Sequence, residues 1–404
     1  MSAATQNLTI SNSFSIGANQ TWDVASEKTL TFGFSSNSVM DLGGYSVTKS
    51  GSGTLALPGS GGLTLQNGTL TLNRGSTTTT NVSGGYKITA TNTFNLIVNS
   101  GASFSTGASA GSYEWNANTT ISGGTVTLGN TSGGGTFGGT FTLSDGGRLN
   151  LGGTTGSVTI SNAIQIAGGT STLAISNSSQ YNTTKLNGGI KGNGTLNISS
   201  GKDITISGIQ DQSGALAINM TSGTLTFGGT NNYSGGTTLS GGTLNISGSL
   251  TGGGDFIIKN GTTANFNQGS TVTINTGNSL VVGQETSGTS GRTLNANGTV
   301  INAGTLNVGR NGILNLNEGV NWTQTGEFNI KGNGGYGATA NLNAGIITYT
   351  GTSTIHLNAI DGSNASGSST LNISGGTLAT SQGFTFTTGT SSTSAQGKVI
   401  FSNG

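Results

Sequence analysis

An all-β fold, a parallel β-helix (β-solenoid), is what this sequence predicts, and three observations predict it. Apolar residues alternate with Thr, Ser and Asn in short runs, the period of a strand with one face buried. Glycine, often as a pair, bounds the runs, and glycine alone turns a tight corner of positive φ at no steric cost. Looser copies of the same phrase recur from end to end, the mark of stacked equivalent units. A single coil of this kind cannot bury its own apolar face, so the stable form is a stack.

Composition agrees. Of 404 residues, 75 are Gly, one is Pro, none is Cys and only 6% are charged, so Thr, Ser and Asn fill the polar positions. Low charge with much Gly and Ser also describes disordered chains. The regular placement of the apolar residues argues against that. Thirteen Lys and Arg stand against twelve Asp and Glu, a formal charge of +1, and the charges are scattered singly. No basic stripe exists to neutralise phosphates, so no nucleic-acid partner is expected. Without Cys there is no disulfide and no thiolate metal site, which suits export in an unfolded state.

The clearest copy of the phrase lies within 228–246, in Asn231-Asn-Tyr-Ser-Gly-Gly-Thr-Thr-Leu-Ser-Gly-Gly-Thr-Leu-Asn-Ile246. Alternation sends Leu244 and Ile246 to one face and Thr243, Asn245 and Ser247 to the other. These residues resemble the autotransporter-associated β-strand repeat (passenger-associated transport repeat) of bacterial surface proteins, and Asn231 to Leu244 follow that motif almost position for position. The segment Ile16-Gly-Ala-Asn-Gln-Thr-Trp-Asp-Val-Ala-Ser-Glu-Lys-Thr-Leu-Thr-Phe32 is similar to one that often precedes the motif. The resemblance implies a right-handed parallel β-helix at the cell surface or outside the cell. It implies a stalk and a secretion aid, not an enzyme.

Taken in order, the strands expected near the amino terminus are Leu8–Ile10, Phe14–Ile16, Trp22–Val24, Thr29–Phe32 and Thr54–Leu57, the first a modest cap for the open end of the stack. Leu63–Leu65 and Thr69–Leu72 repeat the alternation, and Thr77 to Thr80 reads as an exposed polar bend. Next come Tyr86–Ile88, Phe94–Val98, Tyr113–Trp115, Thr125–Leu128, Gly138–Leu143, Gly146–Leu151 and Ser157–Ile160. Gly168 to Ile175, Lys191 to Ile198 and Gly223 to Phe227 lead into the motif. Beyond it lie Phe256–Ile258, Thr271–Ile274, Leu280–Val282, Thr299–Ile301, Thr305–Val308, Ile313–Leu316, Glu327–Ile330 and Ala340–Leu342, then strands within 346–357, 370–378, 384–387 and 398–401. Coils of roughly 20 to 25 residues are expected, and no helix. No shift of composition marks a boundary, so 1–404 is expected to be one domain. Asn245, Asn307 and Asn315 are placed at recurring corners, either stacked as amide ladders or simply serving as turn residues.

Little in the sequence points to chemistry. The acids Asp23, Glu27, Asp41, Glu114, Asp145, Asp203, Asp211, Asp255, Glu285, Glu318, Glu327 and Asp361 form no close Asp-x-Asp or Asp-Asp pair of the kind that gathers calcium or couples acid with base. His356, the one histidine, alternates with Ile355 and Leu357 and is expected to point outward. Gly252-Gly-Gly-Asp-Phe256 faintly resembles a calcium-binding nonapeptide but occurs once, so it is expected to be a corner. Trp22, Trp115 and Trp322 are spread along the chain, as core or rim residues are. The pairs Thr29/Thr31, Thr69/Thr71, Thr125/Thr127, Thr140/Thr142, Thr224/Thr226 and Thr271/Thr273 face outward as they do on ice-binding solenoids, but Asn-x-Asn interrupts them.

No catalytic, cofactor-binding or metal-binding residue is therefore expected, and no cofactor. The expected function is a structural or adhesive component of a bacterial surface, with self-association (head to tail or lateral) and contact with surface glycan or host matrix as the partners. The alternatives are a polysaccharide-acting β-helix lyase or hydrolase and, less favoured, an ice-binding solenoid. Met1 to Ile10 lack the basic and apolar regions of a signal peptide, no run is long enough to span a bilayer as a helix, and no translocator barrel is expected after Gly397.

Overall fold

A computed structural model describes residues 6–11, 14–33, 38–57, 62–79, 87–106, 112–130, 135–153, 157–177, 184–259, 261–283, 289–333, 336–360, 367–387 and 397–402. The fold is all-β, with parallel strands stacked as a solenoid and no helix among the described residues. They fall into two compact units, Met1–Ser207 with Gln212–Gly214, and Gly208–Asp211 with Ala215–Gly404.

In the first unit most strands pair, in parallel, with the third strand further on. Leu8–Ile10 lies beside Thr29–Phe32, and that strand beside Thr54–Ala56. Phe14–Ser15 pairs with Ser38–Asp41, and Gln20–Asp23 with Ser46–Ser50. Three ladders therefore climb together, one strand of each per coil. Parallel pairing needs a crossover connection, and here the crossover is the remainder of the coil itself. Later in this unit two coils run on without a clear break: Ile164–Asn177 and Ile190–Ile206 bend round corners as continuous strands. Gly168 and Gly169, at φ +102° and +63°, make the first of those bends, where the register with the next coil shifts.

The second unit repeats the plan. Its best ordered ladder stacks Thr243–Ile246, Thr263–Phe266, Arg292–Ala296, Gly312–Leu316, Ala338–Leu342 and Ser369–Ile373. Equivalent residues lie 20, 30, 20, 26 and 31 positions apart. A constant strand face thus tolerates corners of very different length, because only the strands must match. Inward columns interlock by size: Phe266 lies between Ile246 and Ala296, and Ala264 between Leu244 and Leu294. Close packing demands such alternation of large and small.

The motif residues have structural tasks. Asn231 is buried, and its Nδ2 donates to the carbonyls of Gly229 and Ser249 at 2.9 Å each, tying one corner to the next coil. Tyr233 is buried edge-on to Phe227, with centroids 6.2 Å apart, and its hydroxyl bonds to that of Thr237. Gly242 has φ +83°, and a Cβ there would lie 2.1 Å from the Gly223 carbonyl oxygen. The second Gly-Gly-Thr needs its glycine on both counts.

Several expectations change. Thr77 to Thr79 are no bend: Gly75–Thr79 is a strand, and Thr77 is buried between Leu55 and Phe104. Thr80 and Tyr86 lie outside the described residues. Ser38–Asp41, Ser46–Ser50, Ala102–Thr106, Asn118–Ser122 and Asn321–Gln324 are strands that alternation alone did not single out. Leu8–Ile10, expected as a modest cap, pairs with Thr29–Phe32, and each of its residues is exposed. The three tryptophans belong to the core.

Candidate functional site

The second unit carries the most regular outward surface. On its best ordered ladder, one outward column is Asn245, Asn265, Asn295, Asn315, Asn341 and Asn372. From Asn265 on, each amide nitrogen donates to the amide oxygen of the asparagine one coil earlier, at 2.7 to 2.9 Å. Stacked identical amides polarise one another, so the column is a continuous hydrogen-bonded line. Each bond uses one N–H of an amide and one lone pair of its neighbour. The second N–H and the second lone pair of each remain for other partners.

Two columns flank it. Thr243, Thr263, Thr293, Ile313, Thr339 and Thr370 run along one side. Along the other, Asn267 donates to Ser247 at 2.9 Å, Asn317 to Asn297 at 3.0 Å, and Asn343 to Asn317 at 3.0 Å. No charged residue interrupts these three columns between Thr243 and Ser374. The result is a neutral face of hydroxyl, methyl and amide groups, repeated at the strand spacing of ~4.8 Å. The asparagines of the central column sit in mid-strand, so stacking and not turn geometry accounts for them, whereas Asn267, Asn297, Asn317 and Asn343 directly follow their strands. Asn307 also stacks, accepting from Asn329 at 3.1 Å on a neighbouring ladder.

No family model matches this chain, and neither does any curated protein or any solved structure.

The titratable residues are dispersed. Among the described residues no three of His, Asp and Glu gather closely enough to hold a metal ion. Glu318 and Glu327 are exposed on separate stretches, and Glu327 accepts from Asn329. Asp255 caps a strand by accepting from the Ser279 N–H at 2.7 Å. Asp41 accepts from the Gly43 N–H and from the amides of Gln66 and Asn67. The Gly43 N–H above all, with those amides, holds its carboxyl below the usual carboxylate range. Glu114 is lowered by its bond to Lys87, a surface ion pair. Glu285 and Asp361 lie outside the described residues, as does the side chain of Asp211.

His356 points outward and is half-exposed, between Asn329 and Thr385 on its ladder. Gly252 to Gly254 form a corner: Gly253 has φ +75°, and a Cβ on Gly252 would lie 1.8 Å from the Tyr233 carbonyl oxygen. The Thr-x-Thr pairs do not extend into an unbroken array, since Thr71 lies beside Thr48 and Ile97, and Thr273 beside Ile301.

Two inward charges stand outside the sequence expectations: Arg292, buried at the start of its strand with Nη1 donating to the Arg310 carbonyl at 2.8 Å, and Lys49. Lys49 is fully buried, in register between Trp22 and Leu72, and its Nζ donates to the carbonyls of Arg74 at 2.7 Å and Gly51 at 3.0 Å. Burial pushes its pKa down to about 8, against the opposing pull of Asp23. Strand parity held the signal, because Lys49 shares the side of Val47.

Proposed function

We propose that this chain is a structural, adhesive β-solenoid of the bacterial cell surface or extracellular space, in the manner of autotransporter passenger stalks, and not an enzyme. The observation that carries this reading is the uncharged Asn/Thr face of the second unit. It offers many weak, equivalent, hydrogen-bonding contacts and no cleft that converges on a reacting atom. Such a surface suits neutral polyhydroxyl partners, namely surface glycans, whose hydroxyls match the free amide N–H groups and lone pairs. The motif supports the stalk half of the proposal, because the Asn231 amide nitrogen, Tyr233, Thr237 and Gly242 each serve the coil.

The test is adhesion of beads coated with the protein to immobilised neutral glycans and to matrix proteins. Attachment is expected, and it should fall at least tenfold when Asn295→Lys and Thr339→Lys charge the face. Equal attachment by the charged variant would remove the face from the proposal. The same protein incubated with a panel of polysaccharides should release no reducing or unsaturated ends. Release would replace the stalk with a lyase or hydrolase.

A further inference from the structure

We propose that the Asn/Thr face of the second unit takes one class of glycan, an extended neutral β-1,4-linked polysaccharide, laid lengthwise along the ladder with one sugar to each coil. The inference rests on the adhesive reading of that face and adds the linkage and the direction of the partner. Its ground is the central column, Asn245, Asn265, Asn295, Asn315, Asn341 and Asn372, whose side chains are half-buried and joined amide to amide in a single sense. The ladder bonds orient each amide before any ligand arrives, so little side-chain freedom is left to lose on binding. From Asn265 to Asn341 each amide keeps one N–H and one oxygen lone pair beyond those bonds. A sugar hydroxyl both donates and accepts, so it can use the lone pair of one amide and the N–H of the next.

Identical partners recur in one direction only. Across a strand the outward groups change, from Thr263 to Asn265 to Asn267. Along the ladder the same amide returns at every coil, on strands paired directly from Thr243–Ile246 to Ser369–Ile373. A polymer of one sugar therefore meets repeating contacts only if it runs along the column. An equatorial 1,4 linkage extends the chain so that one sugar is about as long as the strand spacing of ~4.8 Å. An axial 1,4 linkage coils the same sugars away from the row.

Charge and shape exclude the neighbouring classes. The three columns hold no Lys or Arg to pair with the carboxylates or sulfates of acidic polysaccharides. They hold no aromatic ring on which a single sugar could stack. Each sugar thus adds one weak contact, and affinity comes from the number of coils spanned.

The experiment measures binding of the purified full chain by calorimetry to β-1,4-linked and α-1,4-linked glucose oligomers of two to about six sugars, matched in length. Each added β-linked sugar should tighten binding by about threefold, and the α-linked series should show no such gain. Asn295→Thr with Asn315→Thr interrupts the column in mid-length and keeps outward strand formers. That variant should weaken the longest β-linked oligomer by about tenfold and leave the disaccharide nearly unchanged. An unchanged circular dichroism spectrum checks its fold, and Thr120→Lys, on an outward column of the first unit, should bind as the wild type does. Equal binding of the two linkages, or no gain with length, overturns the lengthwise β-1,4 assignment, while attachment of protein-coated beads to other neutral glycans would leave the adhesive reading standing. Failure of the beads to attach to any glycan or matrix removes both. Sedimentation that shows a dimer without glycan, abolished in the double variant, would give the face to a second copy and overturn the proposal.

Discussion

Asn315 shows what a residue contributes to this architecture. It donates to Asn295 and accepts from Asn341, so Asn315→Ala breaks two ladder bonds and takes the ladder partner from the Asn295 oxygen and the Asn341 nitrogen. A loss of about 2 kcal/mol is expected in denaturant unfolding. Asn372→Ala removes only its donation to Asn341 and should cost about 1 kcal/mol. Equal losses would mean that the column is not a ladder. Lys49 acts in the opposite sense. Its pKa is lowered from 10.5 to about 8 in the folded protein, so the unfolded chain holds the proton more tightly. Stability attributable to Lys49 therefore rises with pH above 8, reaches its full value near 10.5, and is flat below 8. The difference between wild type and Lys49→Met, followed by unfolding midpoints across that window, isolates the effect. A constant difference would contradict the burial of its charge.

At the scale of the element, corners and strands obey different rules. Gly242 and Gly269 have nearly the same backbone, φ +83° and +82°, but a Cβ meets the Gly223 oxygen at the first and nothing within 4 Å at the second. Gly269→Ala should cost about 1 to 2 kcal/mol, the strain of a left-handed alanine. Gly242→Ala adds a steric overlap with a neighbouring coil and should cost at least twice as much in the same unfolding measurement. The strands were legible where a β-branched or large apolar residue alternates with Thr or Asn, as in Thr271–Ile274 or Thr305–Val308. Gly75–Thr79 was not, because its inward position is Thr77 and no apolar residue announces the core side. Hydrogen bonds to coils on both sides hold that strand despite its composition.

For the molecule as a whole, the coil is the unit of change. Arg292 and Thr293 pair with Gly312 and Ile313, twenty residues on, so deleting 293–312 joins two equivalent points of neighbouring coils. Asn265 would then stack on Asn315, and the ladders on either side would close in register. Stability in a solenoid is close to a sum of coil and interface contributions. The deletion should therefore leave a folded all-β protein, only modestly less stable, by circular dichroism and denaturant unfolding. Deleting 293–302 removes half a coil, rotates every later strand to the wrong face and should abolish cooperative unfolding. Tolerance of both deletions would contradict the three-ladder arrangement.

Strand and corner are largely local properties, and the sequence by itself determined them where apolar residues alternate with polar ones, though not in Gly75–Thr79: alternation sets which side chains can share a face, and glycine sets where the chain can turn. It also limited chemistry, with one histidine, no cysteine and acids that never cluster along the chain. Which coil lies against which was a matter for the tertiary structure alone. Corners range from short to long, so spacing in the chain did not reveal that Asn265 and Asn295 are neighbours thirty residues apart, or that Lys49 lies in register with Trp22. Register between coils is decided by many ladder bonds and interlocking side chains acting together, and those contacts exist only once the coils are stacked.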